Sequence, residues 1–204
     1  MSDKLATSGH DQVVSAVRPL VADRAPPLLV AVDGRSGAGK STLARSVAEE
    51  IGAAIVLADD FYAGGTDEAW LSVSPRDRAD RVIDWQRLRS EALEPLLSGR
   101  EATWHPLDFE PGVGWVGWKQ ETVSVRPSDV VLLDGAYSSR PELQDLIDFA
   151  VLVETAERIR RSRLLAREGE NFIGRWHALW DSAEEFYFGA VRPSHSFDLV
   201  VSGD

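Results

Sequence analysis

Residues Gly34-Arg35-Ser36-Gly37-Ala38-Gly39-Lys40-Ser41 match the pattern G-x-x-x-x-G-K-[ST] in full, and Thr42 follows directly. Each residue type in that spacing suits the holding of phosphate. Glycines let the backbone curl until its N–H groups face an anion. A helix opening at Gly39–Lys40 adds partial positive charge at its first turn. Lys40 has the reach for the outer phosphates of a nucleotide, and Ser41 has a hydroxyl to offer Mg²⁺. Gly34 to Thr42 are therefore the expected phosphate contacts. Gly34-Arg35-Ser36-Gly37 also resembles the surroundings of a nucleophilic serine, but a phosphate loop explains that serine better.

Acids that end strands are the natural complement, because ligands of open parallel sheets sit at the carboxyl ends of the strands. Asp59 and Asp60 follow the apolar run ending at Leu57, and Asp134 closes VVLLD. An acid at such a place can hold Mg²⁺ or its water shell, or take the proton of an attacking hydroxyl. Each could also be an ordinary turn or helix-start acid. Arg160, Arg163 and Arg167 recur at i, i+3 and i+7 in TAERIRRSRLLARE, which puts them on one helix face. A row of guanidiniums can clamp phosphate and stabilise charge during phosphoryl transfer. A solvated basic face is the plainer alternative.

The elements that must hold these residues follow from patterning. Short apolar runs alternate with helical patterns, which predicts a mainly parallel sheet sandwiched by helices. The strand candidates are Leu28–Val32, Ala54–Leu57, Val130–Leu133, Phe149–Val153 and Leu199–Val201. One helix carries Leu43, Val47 and Ile51; another carries Trp85, Leu88, Leu93, Leu96 and Leu97. Thr155 suits an N-cap for a helix to Arg167, a break follows at Gly169–Gly174, and a last helix is expected over Trp176–Ala190. Residues 101–125, rich in Gly, Pro and Trp, read as a hairpin excursion on the substrate side. Tyr62, Trp104, His105, Asp108, Trp115 and Trp118 are candidates for its pocket wall, or for a small satellite core.

The 204 residues suit a single domain, with residues 1–25 as an N-terminal extension or helix and 155–175 as a lid region. A net charge of −11 argues against a nucleic-acid polymer as partner. No apolar run is long enough to span a membrane, no secretory signal is visible, and cysteine is absent, so a cytoplasmic location is expected. His10, His105, His177 and His195 lack metal-ligand spacing.

Taken in order, GRSGAGKST, ADDFY, ETVSVRPSDVVLLDG, RIRRSRLLARE and FDLVVSG resemble the uridine kinase family of P-loop nucleoside and small-molecule kinases, from about Leu28 to the C-terminus. The resemblance implies a P-loop NTPase fold with a five-stranded parallel sheet, ATP and Mg²⁺, and phosphoryl transfer to a hydroxyl of a small molecule. Asp59 matches the catalytic base of the family's D-S-F-Y motif. Asp134 matches the acid ending V-V-x-x-E-G, shortened from Glu to Asp. Arg160, Arg163 and Arg167 match arginines of the lid helix. Leu107-Asp108-Phe109 keeps the Asp of a Tyr-Asp-Phe hairpin motif, and Asp84 falls near a ribose-binding acid, although an acid that starts the helix at Trp85 explains it as well. The family's H-x-R-K segment is absent, and EPGVGWVGWK stands there instead, so the resemblance is weakest where the acceptor would be gripped. A nucleoside such as uridine or cytidine is the expected acceptor, with a sugar, a pantothenate-like alcohol or an antibiotic as alternatives. A regulatory module that binds nucleotide without transfer is a further alternative, although the GTPase motif N-K-x-D does not occur. Self-association, common in the family, is also an expectation.

Overall fold

In the computed structural model, which describes residues 8–110, 114–169 and 179–203, the expected apolar runs become the central sheet. Its strands are β1 (Leu28–Asp33), β2 (Ala54–Leu57), β7 (Val130–Asp134), β8 (Phe149–Glu154) and β9 (Leu199–Ser202). They lie in the order β2-β7-β1-β8-β9, and every pairing is parallel. β1 and β7 are buried along their whole length, which is why they read as unbroken apolar runs. Their register sets Val32 opposite Asp134, while Leu57 at the end of β2 also faces Asp134. The carboxyl ends of three neighbouring strands therefore open onto one crevice.

Two helical layers cover the sheet. On one face α1 (Gly9–Asp23) and α2 (Lys40–Ile51) bury Val13, Val14, Val17, Ala44 and Val47 against the strands, and Leu43 and Ile51 complete the expected stripe. Ser8 caps α1 by accepting from Asp11 N–H. The N-terminal helix is thus built into the core, packed on α2 and β9. On the other face lie α3 (Asp67–Leu71), α4 (Pro75–Arg81), α5 (Trp85–Arg87), α6 (Glu94–Leu97) and, after α7 (Glu157–Glu168), α8 over residues 179–186. Leu88, Leu93 and Leu96 are fully buried there.

Two expectations need correction. The helix expected to run through Trp85–Leu97 is interrupted by a π-helical stretch, Leu88–Leu93, between α5 and α6. Pro95 follows it at the start of α6 and cannot donate a helical N–H, so the hydrogen-bond ladder must widen around it. Thr155 does not cap α7. Ala156 holds the N-cap position, and the Thr155 hydroxyl donates instead to Ala38 O at 2.8 Å.

The excursion is a hairpin of two nested ladders. β3 (Ala102–Trp104) pairs with β6 (Val123–Val125), and β4 (Leu107–Glu110) pairs with β5 (Gly114–Trp118), both antiparallel. The expected lid residues 170–175 and the start of the helix expected from Trp176 lie outside the described residues, as does His177.

Candidate active site

The chain leaves β1 at Asp33 and turns through Gly34–Gly39 into α2, so Lys40 is the first helical residue. Asp33 is fully buried and holds that exit in place. It accepts from the N–H groups of Gly34 (2.8 Å), Tyr137 (2.9 Å) and Ser139 (2.9 Å), and from the Tyr187 hydroxyl (2.9 Å). Burial pushes its carboxyl up, while the Ser139 and Gly34 N–H bonds and the nearby Lys40 pull it back.

The loop is wedged from outside. Gly37 has φ +77°, and a Cβ there would stand 2.7 Å from Arg160 O. Gly203 passes so close that a Cβ would lie 2.0 Å from Ala38 O. Arg160 Nη1 donates to Ser36 O at 2.9 Å, and Arg163 Nη1 to Gly37 O and Ala38 O at 3.4 Å each. From α8, Glu184 accepts from Ser36 N–H at 2.9 Å and from Ser36 Oγ–H at 2.5 Å. Lys40 is nearly buried, and its ammonium donates to Arg35 O at 3.1 Å.

A cavity of about 1060 Å³ opens from this loop. Lys40, Ser41, Asp59, Tyr62, Asp134, Arg163 and Arg167 all line it. Asp134 sits between β1 and β2 with 3% exposure. Ser41 stands beside it, and its Oδ1 has no hydrogen-bond partner. Burial pushes the Asp134 carboxyl up and the nearby Asp59 adds to that, against the pull of Ser41 and Lys40. Asp59 lies in the 3₁₀ turn Ala58–Phe61, with the Tyr62 phenol beside it. Burial and the Asp59 charge push that phenol well above its ordinary range. Asp60 is held differently. It accepts from Trp104 Nε1 at 2.9 Å, while its backbone carbonyl accepts from Arg87.

The remaining expected residues are placed less uniformly. Arg160 is 8% exposed and faces a second cavity of about 610 Å³ that it shares with Arg35, so the arginine row divides. Asp84 caps α5 by accepting from Arg87 N–H at 3.0 Å, and it does not line the large cavity. His105 Nδ1 pairs with Lys119 O at 2.9 Å, and neither it nor Asp108 lines that cavity. Trp104, Pro106, Lys119 and Trp180 stand there instead. The side chain of Trp115 lies outside the described residues, although its backbone pairs with Phe109.

Asp33 and Glu184 were not among the sequence candidates. Asp33 could have been found, because it ends an apolar strand just as Asp134 does. Glu184 carries no local signal: it is one of two adjacent glutamates on a helix, and only the tertiary fold turns it inward.

The donor set suits a hard cation beside phosphate: a hydroxyl and two carboxylates, one of which, Asp134, has an orphaned buried Oδ1. Among the described residues no three acids or histidines converge on a metal position.

A parallel sheet whose central strand feeds such a loop, with strand-end acids facing it, defines the P-loop kinase class. Solved structures of that fold include a possible uridine kinase from Bacillus stearothermophilus (TM-score 0.67, 20% identity, 94% of this chain and 96% of that one). Another is the D-glycerate 3-kinase of Cryptococcus neoformans (TM-score 0.62, 18% identity, 97% of each chain). No family model matches the sequence. Among curated relatives, the uridine kinase of Geobacillus sp. is 30% identical over 176 residues, which cover 83% of this chain and 79% of the relative. That of Halobacterium salinarum is 28% identical over 179 residues, covering 83% and 73%. The chain belongs to the uridine kinase family. No helix among the described residues is long and apolar enough to cross a membrane.

Proposed function

We propose that the protein transfers the terminal phosphoryl group of ATP, with Mg²⁺, to a hydroxyl of a small molecule, a nucleoside such as uridine or cytidine first among them. The observation that carries this reading is the meeting of Lys40, the Asp134–Ser41 pair and the Asp59–Tyr62 pair on one cavity. Gly37 to Thr42 hold the phosphate chain through backbone N–H groups and the α2 N-terminus. Ser41 and Asp134 would hold Mg²⁺, with Asp59 beside them, and the ion would supply positive charge to the phosphates.

Asp59 takes the proton of the acceptor hydroxyl as that oxygen bonds to the terminal phosphorus and ADP departs. Asp59 suits this task better than Asp60, whose carboxylate is engaged by Trp104. Lys40, Arg163 and Arg167 place positive charge where the phosphoryl group moves. Arg160 braces the loop through Ser36 O, as Arg163 does through Gly37 O and Ala38 O, but unlike Arg163 it does not line the large cavity.

The test is ADP release with ATP and Mg²⁺ against a panel of acceptors. Stimulation by uridine or cytidine is expected. The wall of Trp104, Pro106, Lys119 and Trp180, from which Asp108 and His105 are absent, favours a second reading in which the acceptor is a different small alcohol. Stimulation by a sugar or pantothenate-like alcohol alone would select it. No stimulation by any acceptor would overturn transfer itself.

A further inference from the structure

Glu184 is a buried acid that the transfer chemistry above does not use. It is 2% exposed, lines the large cavity, and places Oε1 on two donors of Ser36. Its Oε2 has no partner. One backbone N–H of the phosphate loop is thus already bound to an anionic oxygen, in the manner the loop would bind phosphate.

The surroundings make this a matter of charge. Lys40 from α2 and Arg160 from α7 are cations that face Glu184, and Tyr62 and Tyr137 are titratable groups near it. Lys40 is the cation that an incoming phosphate chain must also use. A carboxylate and a terminal phosphate therefore compete for Lys40 and for the Ser36 end of the loop. In a cavity of low dielectric, like charges that close repel strongly.

The contact is also mechanical. α8 is fixed by Trp180 against Trp70 (ring centroids 5.3 Å apart) and by the donation of Arg78 Nη1 to Leu179 O. Three residues after Glu184, Tyr187 is tied to Asp33. Glu184 is held over the loop from both ends of its helix.

We infer that Glu184 is a specificity-determining residue which occupies the Ser36 end of the phosphate loop as an internal anion and so weights nucleotide binding against the triphosphate relative to the diphosphate. It acts through Ser36 and Lys40, and this role rests on the nucleotide-site reading given above. The diphosphate lacks the outermost charge and meets the carboxylate least. The triphosphate must add its last phosphate beside it.

The experiment compares the affinities of ADP and of a non-hydrolysable ATP analogue, each with Mg²⁺, by calorimetry on the full chain. Glu184→Gln keeps an oxygen for the Ser36 N–H and removes the charge. It is expected to tighten the analogue about tenfold more than ADP. Ser36→Ala, which removes the Oγ–H donor from the other end of the contact, should move the ratio in the same direction but less. The double variant should show a smaller shift than the two added together, because one contact is being removed twice. A purely structural Glu184 would lower the unfolding temperature and leave the analogue-to-ADP ratio where it was; that result overturns the inference. An unchanged ratio in folded Ser36→Ala does so too, even if Glu184→Gln fails to fold. Absence of binding of either nucleotide to the unaltered protein would overturn the nucleotide site itself, and the role of Glu184 with it.

Discussion

Tyr187 donates its phenolic hydrogen to Asp33 Oδ2 at 2.9 Å, joining residues 154 apart in sequence at the root of the phosphate loop. The same oxygen accepts from Ser139 N–H, and its twin accepts from Gly34 and Tyr137. One buried carboxylate thus ties the exit of β1 to the turn after β7 and to the end of α8. Tyr187→Phe removes one bond to a charged group without changing shape, so a loss of about 1.5–3 kcal/mol is expected by urea unfolding. Asp33→Asn should cost more, because its amide group turns a donor towards N–H groups that need an acceptor. Equal stability of Tyr187→Phe and the parent protein would show that the bond carries no weight.

The sheet is legible in the sequence because the central residues of β1, β7 and β8 are buried and must be apolar. The phosphate loop is legible because its spacing is set by backbone geometry rather than by neighbours. Asp59 and Asp134 are legible because strand ends in a parallel sheet converge. What lies hidden depends on contacts between distant segments. Thr155 looks like an N-cap until Ala38 O is seen to claim its hydroxyl. Arg160 looks like its row-mates until α7 is placed; both it and Arg163 then brace the loop, but only Arg163 also lines the large cavity. Asp84, which the sequence reads equally as a ribose-binding acid or a helix-start acid, caps α5.

Lys40→Ala should nearly abolish transfer while leaving the fold intact. In the free protein its ammonium contacts only a carbonyl, that of Arg35, among its hydrogen bonds. Loss of a preorganised charge at the transferring group costs on the order of 10²–10³ in turnover, as for other such donors. Turnover in the presence of uridine, with circular dichroism as a control on folding, checks this. Retained turnover would remove Lys40 from the chemistry.

The two adjacent aspartates should separate cleanly. Asp59→Asn removes the proposed proton acceptor, so turnover should fall by about 10²–10⁴ with nucleotide affinity changed only a few-fold. Asp60→Asn can keep an oxygen for Trp104 Nε1, so its turnover should stay within about tenfold of the parent. The reverse ranking would make Asp60 the base.

Asp134→Asn bears on the metal. Asp134 carries an orphaned Oδ1 and shares the cavity with Ser41 and Lys40 at the α2 N-terminus. With an amide there, the Mg²⁺ concentration for half-maximal turnover should rise by about tenfold or more, as when a metal site loses a supporting acid. The Asn variant also buries no charge, so it should unfold no earlier than the parent. An unchanged Mg²⁺ dependence would take Asp134 out of the metal site.

Arg87 is the residue through which the hairpin is aimed. Its guanidinium carbon lies 4.5 Å from the Phe61 ring centroid and 4.1 Å from that of Trp118. Its Nη1 donates to His105 O at 2.9 Å and its Nη2 to Asp60 O at 2.6 Å. One planar group therefore spans α5, the 3₁₀ turn that carries Asp59, and both sides of the hairpin. Lysine keeps the charge but can neither fork to two carbonyls nor stack as a plane. Arg87→Lys should loosen Trp104, Pro106 and Lys119 on the cavity wall while leaving the phosphate loop untouched. The acceptor KM should rise about tenfold, equivalent to roughly 1.4 kcal/mol, with nucleotide affinity unchanged. A loss confined to kcat would instead mean that Arg87 acts on Asp59 through the shared turn, and that the hairpin positions itself.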